Sequence, residues 1–398
     1  MSVPHTLLHP LSRPVGNLAV RSHWLLTMAP GRELIRDGMV VFREDTILAV
    51  GPYSELKNQF QAKVHDLGGA LLAPGVINAH THLELSHLAG RIPPGEDFEA
   101  WVRRLVGLPL KSVPGELLKR TVSDLVSCGT AYVADITGHS HRLVCDTLLG
   151  SPLGCRLFVE FFGFHHPGGN TLNWPSTIRP SSHSEVAAAG HALYSTHPST
   201  LQLAKTWSSR RRRPFSMHLS EHAGEVEFLA TGRGSFAELI KERLVPEDFV
   251  APGVSPVAYA DRLGLLDERT LAVHCVHLTQ PDIETLAGRQ VAVCLCPRSN
   301  AFIGVGRAPW ERLAASGVHL CLGSDSLASN TDLDLWNEAV YVARHWEQGL
   351  PLTKLAALVT RNPASALGIE DQYGTLEPGK KARFSLVPKR LLAECELT

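Results

Sequence analysis

The chain has 398 residues, 44% of them hydrophobic, and a formal net charge of −1. That length holds a large α/β unit plus a small one, and the charge balance gives no electrostatic case for nucleic acid or a membrane as partner. No apolar run approaches the ~18 residues of a membrane-spanning helix, and the opening MSVPHTLLHPLSRP lacks the apolar centre of a secretion signal, so a cytoplasmic protein is expected. Several of the eight cysteines lie inside apolar runs (AVHCVHL, VAVCLC, VHLCLGS), as reduced, buried thiols do, and no C-x-x-C occurs. Histidine is the outlier: 20 of them, against 6 tyrosines and 4 methionines.

Residues 17–50 carry short β-like runs, NLAVRSHWLLT, GMVVFRED and TILAVG, with no helix between them. They predict a small antiparallel unit. From about residue 70 the pattern changes, and apolar runs alternate with segments of helical spacing. The predicted strands are 71–78, 129–136, 156–162, 187–194, 214–219, 270–276, 290–296 and 317–325. Helical segments such as PGELLKRTVSDLVSCG and QPDIETLAG separate them, with Pro or Ser near the start and Gly near the end. Eight strands alternating with helices predict a parallel sheet covered on both faces, and the number matches a closed (β/α)8 barrel of the TIM type. An open doubly wound sheet is the alternative, but no G-x-G-x-x-G follows the first strand. The C-terminal YGTLEPGKKARFSLVPKR returns to β character. The expected organisation is therefore 1–70 and 369–398 forming one small β-sandwich domain, with the barrel spanning 71–368. The Pro-, Gly- and Ser-rich stretch 165–184 would be a long loop at the barrel mouth, a candidate lid.

The polar residues fall at strand ends. NAHTHLELS places His80 and His82 one residue apart where the first barrel strand emerges, and residues i and i+2 of a strand point to the same side. The fifth strand ends at His218, the sixth carries His274, and the eighth ends at Asp325. In a (β/α)8 barrel the C-terminal strand ends converge on one mouth. A single buried histidine is ordinarily a hydrogen-bonded core residue. Imidazoles and a carboxylate from four strand ends in one register instead describe a divalent metal site.

The stretches LLAPGVINAHTHLE, MHLSEHAGEVEFLATGRG, LAVHCVHLT, VCLCPRSN and LCLGSDSLASNTDLDLWNE together resemble the amidohydrolase superfamily, in its cytosine deaminase and chlorohydrolase-like branch. The resemblance extends over nearly the whole chain. It implies one Zn²⁺ (or Fe²⁺) held by His80, His82, His218 and Asp325, and it also implies a homodimer. Binuclear relatives carry a carboxylated lysine at the end of the fourth strand. Here that place reads HALYST, and the nearest lysine, Lys205, lies in the following helix.

A divalent metal lowers the pKa of bound water from 15.7 to about 7. Asp325 would ligate the metal and accept the water's proton. Glu221, three residues after His218, would carry a proton to the ring nitrogen beside the attacked carbon, as the corresponding glutamate does in the deaminases this chain resembles. The plainer reading of Glu221 is a first-turn helix acid. His274 would orient the nucleophile or stabilise the tetrahedral intermediate, and His277, of opposite strand parity, is a weaker candidate. The expected substrate is a small heteroaromatic molecule.

GHALYSTHPSTL resembles the fourth-strand segment of this branch, whose histidine hydrogen-bonds a purine nitrogen. That maps to His191, while His197 has no match. HTHLELS adds Glu84, and with HALYST it looks most like the aminodeoxyfutalosine deaminases, which convert a 6-aminopurine nucleoside bearing a benzoate group to its 6-oxo form in menaquinone biosynthesis. Glu84 would then bind ribose hydroxyls. Read bottom-up, it is a solvated loop acid. Arg298, in CPRSN, is equally a contact for a substrate carboxylate and a surface arginine. Four arginines in SSRRRRP (208–214) read as a solvated helix end.

Deamination of adenosine, methylthioadenosine or S-adenosylhomocysteine uses the same residues, as does removal of an amine or halide from another heteroaromatic ring. Cyclic amide hydrolysis is a different reaction with less need of Glu221. A barrel that has lost its metal and serves as an assembly module would lack ligands, and none is lacking here. The closing segment departs from the family at Arg383 and Phe384, where an aspartate commonly follows Ala382.

Overall fold

The computed structural model describes residues 16–95, 97–178, 185–242 and 244–395. Eight parallel strands form one sheet in chain order: β6 (Val76–Thr81), β7 (Thr130–Thr137), β8 (Gly154–Phe161), β9 (Val186–Gly190), β10 (Phe215–Leu219), β11 (Thr270–His274), β12 (Ala292–Leu295) and β13 (His319–Leu322). All eight runs read from the sequence are present, and helices separate successive strands except between β8 and β9, where the described residues carry none. Inside the sheet lie Ile77, Ala79, Phe158, Ala187, Leu271, Val273 and Cys294. A larger apolar layer fills the space between strands and helices, as a covered parallel sheet requires.

The first and last strands meet at the mouth and close the barrel. Thr81 and Asp325 form an isolated parallel bridge. The N–H groups of Ser324 and Asp325 both donate to the carbonyl of His80, each at 3.1 Å. Asn78 Nδ2 donates to Ser324 Oγ at 2.7 Å. The seam that closes the barrel therefore also fixes His80 against Asp325. Gly323 is required there, because a Cβ on it would stand 2.7 Å from the Cβ of His80 and 2.8 Å from Cys294 Sγ.

The second sheet has six strands, drawn from both ends of the described chain: β1 (Asn17–Leu26), β2 (Leu34–Arg43), β3 (Thr46–Pro52), β4 (Ala62–Asp66), β5 (Leu71–Pro74) and β14 (Phe384–Leu386). It is mixed rather than purely antiparallel: β1 pairs antiparallel with β2 but parallel with β4 and β5. The run LLAPGVIN is two strands, not one. Leu71–Pro74 pairs with β14 in the small sheet, and Val76 begins the barrel. The switch is at Gly75, where a Cβ would meet Ala131 Cβ at 2.5 Å; only glycine lets the two sheets approach that closely. Phe384 is buried, pairs with Pro74 and meets the Phe42 ring edge-on at 5.4 Å. The departure at Arg383–Phe384 thus still yields an ordinary edge strand.

The described part of the 165–184 stretch packs along the outside of β8. Trp174 meets Phe161 at 5.2 Å and Trp207 at 4.6 Å. Positions 179–184 lie outside the described residues. In the arginine run, Arg211 lies over Trp207 at 4.4 Å and Arg213 donates to the carbonyl of Val186. No helix among the described residues is long and apolar enough to cross a membrane.

Candidate active site

His80, His82 and His218 bring one ring nitrogen each within 4.8 Å of one another. Asp325 Oδ1 lies 3.7 Å from Nε2 of both His80 and His82. The backbone arranges this convergence in two ways. The pairing of β6 with β7 shifts register between Asn78 and Thr81, and such an irregularity re-aims the residues beyond it. Ile77 and Ala79 fill the barrel interior, while His80 and His82 turn to the mouth. On the far strands, His274 and Asp325 take left-handed backbone angles, φ 73° and 57°. Those angles cost a β-carbon residue on the order of 1 kcal/mol, and such strain gathers at functional sites.

A divalent cation fits this set. His218 Nδ1 donates to the carbonyl of His191 at 3.0 Å, which leaves its Nε2 lone pair for the cluster. Both ring nitrogens of His80 are buried with no hydrogen-bond partner among the described residues. An imidazole kept dry and unpaired is costly unless it ligates. Burial holds His82 down to about 3 and His218 well below the usual range, so both rings are neutral lone-pair donors at neutral pH. Burial pushes Asp325 up, but the facing imidazoles of His80, His82 and His274 outweigh it and hold the carboxyl well below its ordinary value. Ser299 and Ser329 donate to Asp325 Oδ2 at 2.6 and 2.9 Å, which leaves Oδ1 facing His80 and His82. Lys205 lies elsewhere, bonded to Asp267 and Thr270 at the N-terminal end of β11. Nothing at the end of the fourth barrel strand therefore offers a bridging lysine.

Beside this cluster stand Glu221 and His274, with Oε1 3.5 Å from Nε2. His274 Nδ1 donates to Asn300 Oδ1 at 2.8 Å, so its Nε2 is turned to the glutamate. Burial raises Glu221 to about 7 against the opposing pull of His274. A carboxyl poised there both holds and releases a proton at neutral pH. Glu221 is buried, which separates it from an ordinary first-turn acid. Its own N–H donates to Glu225 Oε2 at 2.8 Å. Glu225 is itself buried and raised to about 8, first by burial, and its Oε1 has no partner among the described residues.

That raised carboxyl has a consequence for stability. A group whose folded pKa lies above its unfolded value binds more protons folded than unfolded. Its contribution is whole below the unfolded value and lost as pH rises toward about 8. Glu225→Gln should therefore flatten the decline in stability between pH 5 and 8 by about 1.4 kcal/mol per pH unit. Denaturant unfolding of the two proteins across that range checks this; parallel curves would refute it.

His82, His218 and Asp325 of the cluster, with Glu221 and His274, line a cavity of about 530 Å³. Two helices make its wall: Phe98–Leu105, with Phe98, Trp101, Val102 and Leu105, and Ser235–Lys241, with Phe236, Leu239 and Ile240. Both helices lie outside the runs that sequence reading marked as functional. His191 lines the cavity, its Nδ1 2.5 Å from Ser195 Oγ, and burial lowers it to about 4.

Other candidates have different surroundings from those expected. Glu84 is buried rather than solvated. Its carboxylate accepts three backbone N–H bonds, from Gly138, His139 and Ser140, at 2.8, 3.0 and 2.7 Å. It ties the turn after β6 to the turn after β7 while still lining the cavity. Arg298 is neither a cavity residue nor a surface one. It clamps Asp332 with two 2.8 Å bonds and reaches Glu338 at 3.5 Å. His277 Nε2 is bonded to the carbonyl of Val305, and His197 caps the helix Pro198–Arg210. Sequence reading missed Glu160, at the end of β8, which lines the cavity beside His218 and His191 and is raised by burial to about 8. Its signal was there to read: a lone carboxylate inside the apolar run RLFVEFF.

A cluster of three histidines and an aspartate that fits a divalent cation stands at the C-terminal mouth of the (β/α)8 barrel, where catalytic residues gather in this fold. The model of the amidohydrolase family matches residues 71–396, and the chain belongs to that family. It is 29% identical to the 5-methylthioadenosine/S-adenosylhomocysteine deaminase of Moorella thermoacetica over 90% of this chain and 82% of that one. It is also 29% identical to the aminodeoxyfutalosine deaminase of Deinococcus radiodurans, over 79% and 77%. The fold matches the crystal structure of Helicobacter pylori aminofutalosine deaminase in complex with methylthio-coformycin. The TM-score is 0.82 over 95% of both chains, at 22% identity.

Proposed function

We propose that this protein hydrolytically deaminates a 6-aminopurine nucleoside substituted at the 5′ position, with aminodeoxyfutalosine first among the candidates. The observation that carries the reading is the Glu221–His274 pair beside the His80–His82–His218–Asp325 cluster, on the floor of an apolar cavity. One divalent metal, Zn²⁺ or Fe²⁺, would be held by these three histidines and Asp325, supplying a water acidified to near neutrality. Imidazole and carboxylate ligands suit either ion.

In this mechanism Asp325, ionised and held by two serine hydroxyls, accepts the water's proton through Oδ1. Glu221 passes a proton to the ring nitrogen next to the attacked carbon, which makes that carbon electrophilic. His274, held by Asn300 through Nδ1, offers Nε2 as an acceptor that would orient the attacking water. The proton held by Asp325 passes to the amino group and the remaining proton of the added water restores Glu221, so ammonia leaves and the 6-oxo ring remains. His191 is assigned to a purine nitrogen and Glu84 to the sugar side of the cavity.

The breadth of the wall formed by Phe98, Trp101, Leu105, Phe236, Leu239 and Ile240 supports an aryl-sized 5′ group. A second reading, 5′-methylthioadenosine, is favoured by another observation: the cavity lining contains no lysine or arginine among the described residues, so a buried carboxylate would lack a cation. Ammonia release and product mass, measured with aminodeoxyfutalosine, 5′-methylthioadenosine, S-adenosylhomocysteine and adenosine, decide between them. Trp101→Ala should raise KM for the preferred 5′-substituted nucleoside by at least about tenfold, the worth of roughly 1.5 kcal/mol of apolar burial, with adenosine nearly unaffected. Equal loss on both would remove this helix from the 5′ subsite. Silence across the whole panel would sink the nucleoside reading.

A further inference from the structure

Glu160 is the one carboxylate of the cavity wall to which the mechanism gives no task. It sits at the C-terminal end of β8, lines the cavity, and is close to fully buried. Oε1 points toward His218, 4.0 Å from Nδ1, but that nitrogen already donates to the carbonyl of His191. Oε1 has no hydrogen-bond partner among the described residues. Oε2 lies toward Gly138, 3.3 Å from where a Cβ on that glycine would stand, and Glu84 Oε1 comes within 3.4 Å of the same point. The absent side chain at 138 is what allows two carboxylates to approach one strip of wall. The two are not equivalent. Glu84 is engaged by three backbone N–H groups, whereas Oε1 of Glu160 draws on no protein donor among the described residues.

A carboxylate at the wall of a largely apolar cavity takes its donors from whatever occupies that cavity. If the occupant is a 6-aminopurine nucleoside, its donors are few: the 6-amino group and the sugar hydroxyls. The amino group leaves at the metal cluster, beside Glu221 and His274. Glu160 stands on the other side of His218, with His191 and Glu84. From this geometry, and resting on the nucleoside reading above, we propose that Glu160 is a specificity residue that receives a hydrogen bond from a ribose hydroxyl of the substrate. It selects ribonucleosides over their deoxy counterparts, and Glu84 fixes the turn that completes the subsite.

The test crosses the residue with the hydroxyl. Wild type, Glu160→Gln and Glu160→Ala, each zinc-loaded, are assayed for kcat/KM on the fastest nucleoside of the panel and on its 2′-deoxy and 3′-deoxy forms. Metal content and melting temperature are measured on the same preparations. Wild type should discriminate against one deoxy form by about tenfold to a hundredfold, as expected when a buried acceptor is left without its donor. Glu160→Ala should shrink that ratio to within about threefold, through a loss on the ribonucleoside that the deoxy form does not share. Glu160→Gln, which keeps an acceptor, should fall between. If wild type treats ribo and deoxy forms alike, or if both variants slow every substrate by the same factor, Glu160 reads no hydroxyl and the proposal is overturned. A variant that loses metal or fails to fold slows all substrates alike and is recognised by the accompanying measurements; the ratio in the other variant then decides the matter. Wild type inactive on every nucleoside would remove the underlying reading together with this one. Activity with an unchanged ratio would remove only Glu160.

Discussion

Replacing Glu221 by glutamine should lower kcat by at least about a hundredfold and as much as ten-thousandfold, with metal content and melting temperature close to wild type. That range is what a positioned proton donor contributes. Glutamine keeps the volume and the hydrogen-bonding shape of the side chain but cannot give up a proton. Glu221 is buried beside His274, at 3.5 Å, and burial holds its carboxyl near 7. The proton needed by the purine ring is therefore stored where the ring is attacked. The pH profile gives a second readout: the limb that reports loss of the Glu221 proton, expected near pH 7, should vanish in the variant. The substitution also separates reaction classes. Ring nitrogens of low basicity require protonation before the amino group can leave, whereas opening of a cyclic amide makes less demand on this residue. Turnover left intact in Glu221→Gln would mean that deamination is the wrong reaction.

Removing the metal should be at least as damaging, and it should act on stability too. Treatment with a chelator is expected to abolish turnover to below about a thousandth, and Zn²⁺ or Fe²⁺ should restore it. Because the ligands are set in the folded chain, a metal present at a thousand times its dissociation constant adds about 4 kcal/mol, and the melting temperature should drop on stripping. His80→Ala isolates the cause. His80 is fully buried with both ring nitrogens unpaired among the described residues, and its carbonyl holds the N–H groups of Ser324 and Asp325. Truncating the ring leaves that backbone seam in place. The variant should therefore fold, bind less than a tenth of the wild-type metal and show no rescue at modest added Zn²⁺. Glu221→Gln, by contrast, should keep its metal. If chelated protein remained active, or if His80→Ala retained a full metal complement, this cluster would not be the metal centre.

Most of the candidate site was legible, though only from its residues taken together. His80, His82, His218, His274 and Asp325 each stand at the end of an apolar run, and a parallel barrel sends all such ends to one mouth. The placement needs only strand period and chain order, which are local properties. Glu221 followed from its spacing after His218. Glu160 was equally visible in RLFVEFF but carried no local meaning, because a single carboxylate at a strand end acquires a role only from what surrounds it. Arg298 shows the converse. Its charge invited a substrate carboxylate, yet Asp332 and Glu338, more than thirty residues on, already take it up.

The sequence by itself determined the eight-stranded barrel, the order of its strands and the residue types that meet at its mouth, since these depend on periodicity and on where polar residues interrupt it. Tertiary structure alone decided the rest. Pro74–Gly75 divides one apolar run between two sheets, because a neighbouring alanine leaves no room for a Cβ at Gly75. The irregular pairing of β6 with β7 turns both histidines to the mouth. Glu84 serves the backbone of a turn more than fifty residues away. The apolar wall comes from two helices nearly 140 positions apart. Each of these rests on contacts between distant segments, and such contacts exist only once the barrel has closed.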